Sequence, residues 1–145
     1  MATPEPTPTK KEKIIAIIDD IFKLDSPKID ESRKNQVTDF IIGAVNGDNL
    51  VAHLVLNANL SENNKGAIVF ILTNLRLIKI DIANKEIQSS SFFLNTLIGI
   101  DRKLIDGERS EFSIAFQNGS FGLRYSQDNQ NITDFFQKID QTRIS

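Results

Sequence analysis

Residues 66–78 read Gly66-Ala-Ile-Val-Phe-Ile-Leu-Thr-Asn-Leu-Arg-Leu-Ile78. Ala67 to Leu72 is an unbroken apolar run, far too short to span a bilayer, and Leu75 to Ile82 is a second β-rich run beyond the polar pair Thr73-Asn74. Two such runs joined by a tight turn predict an antiparallel hairpin. Ile68, Phe70 and Leu72 fall on one side of the first strand, Val69 and Ile71 on the other. An antiparallel sheet with one face in water alternates more cleanly than this, so the hairpin needs cover on both faces. A barrel covers only its inner face. The outer face therefore calls for a packed N-terminal helix or for a surface that meets a partner or a second copy of the chain, since large exposed apolar patches mark interfaces.

Beyond the hairpin the chain continues as short runs punctuated by turn residues. Strands are predicted over Glu86 to Phe93, Leu97 to Leu104 and Glu111 to Phe116, where Phe112, Ile114 and Phe116 alternate with smaller or polar residues. Asn118-Gly119 signals a type I′ turn into a last strand on which Phe121, Leu123 and Tyr125 share a face. After Asp128, the spacing of Ile132, Phe135, Phe136 and Ile139 predicts an amphipathic helix to about Thr142. Upstream, Leu50 to Asn57 reads as a strand and Ser61 to Gly66 as a polar loop. Ile14, Ile17, Ile18 and Ile21 recur at helical spacing behind a Thr9/Glu12 capping pair, predicting a helix to about Leu24. Val37, Phe40, Ile41, Ala44 and Val45 predict a second over much of 27–46, opened by Ser26-Pro27 and stopped at Asn46-Gly47-Asp48, where Gly47 suits a left-handed end. Three prolines among residues 1–8 favour a solvated, disordered tail.

The resulting order is helix, helix, seven strands, helix. The last eight elements are similar in order to a pleckstrin-homology-like barrel, in which two bent sheets pack and the final helix plugs one end. The hairpin at 66–78, with an apolar strand reaching a Thr73-x-x-Arg76 turn and a second apolar strand leaving it, resembles that of bacterial pleckstrin-homology-like domains of the YokE type. Leu97 to Asp106 resembles the strand that follows there. The resemblance covers about residues 48–142. It implies an α+β, mainly β, fold: a seven-stranded antiparallel barrel or sandwich at 48–145 with a C-terminal capping helix, preceded by a helical extension at 9–47 and a tail at 1–8.

Composition narrows the function. The 145 residues, 40% apolar and 25% charged, suit one globular core. The 17 basic and 19 acidic side chains are interleaved, with a net charge of -2, so no segment has the basic excess that a nucleic-acid backbone rewards. Cysteine is absent, which removes disulfides and thiolate chemistry together. The N-terminus lacks the pattern of a secretory signal, and the cytoplasm is the compartment these features predict.

No polar motif stands out as catalytic. A G-x-S-x-G elbow, a P-loop, a dinucleotide glycine fingerprint and an H-E-x-x-H helix are all missing from the sequence. His53, the sole histidine, reads as structural. Inositol-lipid-binding relatives of the fold gather basic residues at the first hairpin, whereas residues 57–66 offer Lys65 against Glu62, so that activity does not carry over. The expectation is a non-enzymatic binding or scaffolding module without cofactor, metal or identifiable small-molecule ligand. Its partner would be a protein, a peptide or a second copy, met through a sheet edge, the apolar outer surface or the N-terminal helices. The candidate interaction residues are Val69, Phe70 and Ile71 on the hairpin, with Arg76, able either to bind an anion or to brace its own turn, and Lys79. A peripheral membrane role is the alternative, with the Thr9 to Leu24 helix in the interface: Lys10, Lys11 and Lys13 favour it, Asp19, Asp20 and Asp25 oppose it; a small hydrolase, which would need carboxylates converging in a pocket, is the third reading.

Overall fold

The computed structural model describes residues 9–24, 29–61, 64–83, 86–105, 109–125 and 130–144. Helix α1 (Lys10–Phe22) and helix α2 (Lys34–Val45) precede seven strands: β1 (Leu50–Ser61), β2 (Asn64–Thr73), β3 (Arg76–Ile82), β4 (Ile87–Phe93), β5 (Leu97–Ile105), β6 (Arg109–Phe116) and β7 (Gly119–Tyr125). Helix α3 (Gln130–Ile144) closes the chain. The strands form two antiparallel sheets, β1-β2-β3-β4 and β5-β6-β7, each in sequence order. With α3 packed into the space between them, this is the pleckstrin-homology-like architecture that the resemblance implies.

The double-sided hairpin divides the interior into two cores. Phe70 and Leu72 of β2 and Leu77 of β3 face Phe112, Ile114 and Phe116 of β6 inside the barrel, and Ile132, Phe135, Phe136 and Ile139 of α3 fill the end. The Phe136 ring stacks on Phe112 at 4.3 Å between centroids, and Phe92 stacks on Phe116 at 4.7 Å to tie the two sheets. On the outer face, register sets Val69 opposite Ile80 and Ile71 opposite Ile78. These residues bury against Ile17, Ile18 and Ile21 of α1 and Val37, Ile41 and Val45 of α2. The N-terminal helices are thus a third layer that shares a core with the sheet. Thr9 caps α1 as expected, its side chain accepting from the Glu12 N–H at 3.2 Å.

Several local expectations need correction. The second helix starts at Lys34, after a 3-10 turn at Glu31–Arg33 opened by Asp30, which accepts from the Ser32 N–H at 2.9 Å; Ser26-Pro27 lies outside the described residues. At the end of α2 the residue with positive φ is Asn46, at φ 52° and ψ -124°, rather than Gly47. The described part of the expected polar loop is ladder: Ser61 pairs with Asn64, Asn59 with Lys65 and Ala58 with Gly66, because backbone pairing needs no apolar side chain. The hairpin turn is Asn74-Leu75, and Leu75 is exposed. In the last hairpin Phe116 pairs with Gly119 across Gln117-Asn118, and Asn118 keeps a negative φ, so the turn is not type I′. The side chains of Phe121, Leu123 and Tyr125, and the tail at 1–8, lie outside the described residues.

Because Ile71 is fully buried between the sheet and both helices, Ile71→Ala should cost about 2–5 kcal/mol, as for a central core residue. Urea unfolding measures this. A loss near zero would mean that the helices are a detachable cover rather than a core layer.

Candidate binding grooves beside the plug helix

Three of the five candidate interaction residues are interior. Val69, Phe70 and Ile71 are 0% exposed. Val69 and Ile71 lie under the helices, and Phe70 sits 6.2 Å from Phe135 and 6.3 Å from Phe136. The apolar outer surface is therefore covered by the chain itself, and these residues meet no outside partner.

Arg76 is committed as well. Its Nε donates to Asp48 Oδ2 at 2.8 Å, and its terminal nitrogen donates to the carbonyls of Ala44 and Val45 at 3.0 and 3.2 Å, filling acceptors that the end of α2 leaves open. Thr73 completes the knot: its hydroxyl donates to Asp48 Oδ2 at 2.9 Å and accepts from the N–H groups of Leu75 and Arg76. Burial alone would raise the Asp48 carboxyl, yet the hydrogen bonds from Arg76 and Thr73, aided by the charges of Arg76 and Lys10, outweigh it and hold the group below the usual carboxylate range. Arg76 thus braces the hairpin against α2 and offers no free anion site. Lys79 lies on the inner face, paired across the ladders with Phe70 and Ser90, and its Nζ stands 3.9 Å from Asp81.

Open space is found on either side of α3. One cleft of about 570 Å³ runs along the edge of β1 between α1 and α3, with Asp20, Lys23 and His53 at one wall and Asp134 and Lys138 at the other. His53 Nε2 is 2.7 Å from Asp20 Oδ2, a bond from strand to helix across 33 positions of sequence. No pattern in the sequence announced Asp20 as its partner, because neither residue lies in a motif. Charges in this cleft are mixed, and among the described residues no three His, Cys, Asp or Glu side chains gather as metal ligands. The β1 edge is also partly engaged: Lys13 Nζ donates to the Leu50 carbonyl at 2.9 Å, and the ladder is irregular between Leu50 and Ala52.

A second groove of about 410 Å³ lies between β5 and α3. Thr133, Phe136, Gln137 and Asp140, spaced i, i+3, i+4 and i+7, form its helical wall, and Ile98, Gly99, Ile100 and Arg102 its strand wall. Phe112 and Phe136 supply an apolar floor. Strand β5 ends its sheet, pairing with β6 on one side only. Ile98 sits where the β5-β6 register shifts and is 65% exposed; a methyl group on Gly99 would meet no atom within 4 Å.

No family model matches the chain, and no curated protein does. Among solved structures it is similar to a DUF1696 family protein with a pleckstrin-homology domain from Shewanella loihica PV-4, at 15% identity and a TM-score of 0.44, over 67% of this chain and 99% of that one.

Replacing Arg76 with Ala should cost about 2–3 kcal/mol near neutral pH, since it strands a mostly buried carboxylate. A depressed folded carboxyl contributes stability that is present above its unfolded value of about 3.9 and lost as pH falls through the folded value. The stability gap between wild type and Arg76→Ala should therefore narrow below about pH 4. Urea unfolding across that range measures the gap. A constant gap would show that Asp48 is not the partner through which Arg76 acts.

Proposed function

We propose that this chain is a non-catalytic binding module that takes an extended peptide segment as an added strand along β5, in the groove between β5 and α3. The observation that carries the reading is the coincidence of a sheet edge, open on one side, with an apolar floor beside it. An edge strand presents N–H and C=O groups that an incoming backbone can pair, while the pocket beside it selects alternate side chains. Nine residues of β5, at about 3.4 Å per residue, give room for a segment of that length.

Other surfaces support the role less well. The hairpin face is under α1 and α2, and the apolar side of α1 faces the sheet, so Ile17, Ile18 and Ile21 are not free to enter a membrane interface. Two of the lysines that favoured that interface hold backbone carbonyls: Lys10 that of Asn46 at 2.6 Å and Lys13 that of Leu50. No helix of the described residues is long and apolar enough to cross a membrane. The β1 edge competes with β5 for an added strand, but its cleft is charged and crossed by the His53–Asp20 bond.

Titrating isotope-labelled protein with capped peptides of alternating apolar and polar residues should move amide resonances at 97–105 and 133–140. N-methylation of alternate peptide residues should abolish binding in one phase of the alternation and spare it in the other, because an added strand pairs along one edge only. Shifts confined to 50–56, or binding indifferent to N-methylation, would sink the proposal.

A further inference from the structure

Three turns meet at one end of the barrel, and that end is apolar and bare of charge. The Leu94 N–H donates to the Leu75 carbonyl at 2.9 Å and the Gln117 N–H to the Thr96 carbonyl at 2.9 Å, so the β2–β3 turn, the β4–β5 connection and the β6–β7 turn lie side by side. Leu75, Phe93 and Ile98, on these segments, are 53%, 58% and 65% exposed. Residues 66–75, 87–100 and 112–123 include no charged side chain, in a chain that is 25% charged. The exposed polar residues of the turns are the amides Asn74, Asn95, Gln117 and Asn118. Asp48 and Arg76, which border the first turn, are mostly buried and bonded to each other at 2.8 Å. Scattered apolar side chains are ordinary on a surface, whereas a group of them set among amides instead of charges has the composition of an interface centre.

We infer that this end of the barrel is an interface between two copies of the chain, apposed about a two-fold axis. In such a contact each patch meets its own image. A patch of one charge then sets like against like, which is unfavourable. A neutral apolar patch meets no such repulsion, and its amides, which both donate and accept, find partners in the amides of the other copy. A lipid surface suits the same end less well. Interfacial binding draws on basic residues beside the apolar ones, and these three segments have none. Entry into hydrocarbon would also strip water from the amide and backbone groups of the turns. With three large side chains from each copy the patch is small, which sets the association among weak, concentration-dependent contacts. The inference stands apart from the peptide reading; of the three apolar residues, Ile98 also borders the groove.

Sedimentation velocity on the full chain, from about 20 μM to about 1 mM, should show the average mass rising toward that of two chains, as for a weak homodimer. Amide resonances at 74–75, 93–98 and 117–118 should move over the same range. Phe93→Asp and, separately, Ile98→Asp should hold the chain monomeric, because each sets a carboxylate against a facing patch that has no charge to pair with it. Both positions are exposed, so the urea midpoint should stay near that of wild type; the wild-type shifts stand even where a variant folds poorly. A monomer at every concentration would overturn the inference, and flotation with phosphatidylcholine vesicles that is lost in Phe93→Asp would then assign the patch to a membrane. Self-association that survives both substitutions, or that leaves these amides unmoved, would place the interface elsewhere and overturn it equally.

Discussion

The central hairpin cannot be satisfied by one layer. Ile68, Phe70 and Leu72 point into the barrel while Ala67, Val69 and Ile71 point out, and Ile78, Ile80 and Ile82 extend the outer patch across β3. Left in water, that outer patch would forfeit about 1.5–3 kcal/mol for each large side chain, more than the few kcal/mol of net stability of a small domain can absorb. The cover comes from within the chain, as α1 and α2. The polar fastenings follow from that requirement. A helical layer needs a fixed position over the sheet, and hydrophobic contact has no directional preference. Arg76 on the last carbonyls of α2, Lys13 on the Leu50 carbonyl, His53 on Asp20 and Arg33 on the Ala83 carbonyl supply direction at four separate points.

The Thr73-x-x-Arg76 turn is where the two requirements meet. The Thr73 hydroxyl accepts two backbone N–H groups of the turn and reaches Asp48, while Arg76 spans from Asp48 to the end of α2. One local sequence feature thereby closes a hairpin and locks the layer above it. Asp48 lies close enough to join because α2 ends at Asn46 with a positive φ and the chain turns back, with the Asp48 N–H on the Val45 carbonyl at 3.1 Å.

Pattern made the strands and helices legible, since β6 and α3 bury side chains with periods of two and 3.6, while β2 is an unbroken apolar run buried on both faces. The need for a cover over Val69 and Ile71 could be read from the same pattern, and of the two covers it left open, a packed N-terminal helix or a partner surface, the structure has the helices. Turn details were less legible. Asn118-Gly119 carries a strong hairpin signal, yet the register that pairs Leu97 with Phe116 and Phe116 with Gly119 sets the turn one residue earlier. Ser61 and residues 64–66 hid a ladder because backbone groups pair whatever the side chains. Asp20 with His53 and Asp48 with Arg76 join residues 33 and 28 positions apart, and such encounters depend on how layers are stacked. The grooves belong to the same class: they are spaces between elements, and α3 borders both because its inward stripe of Ile132, Phe135, Phe136 and Ile139 leaves a flank free on each side.

A plug helix that fills the barrel end does not pair with strands. Whatever α3 contributes in apolar burial, its backbone adds no rung to the ladders of β1 and β5, because its own backbone groups are engaged along the helix. The fold therefore keeps hydrogen-bonding capacity at two edges beside the same helix, and the local chemistry separates them. At β1 a lysine takes a carbonyl, the register is broken and an imidazole-carboxylate bond spans the cleft, devices that blunt an edge. At β5 the groove has Phe112 and Phe136 at its floor with Thr133, Gln137 and Asp140 along the helix, Gly99 clears one position, and Asp101, Arg102 and Lys103 lie on the strand. Charges on an edge strand ordinarily deter pairing with an arbitrary strand.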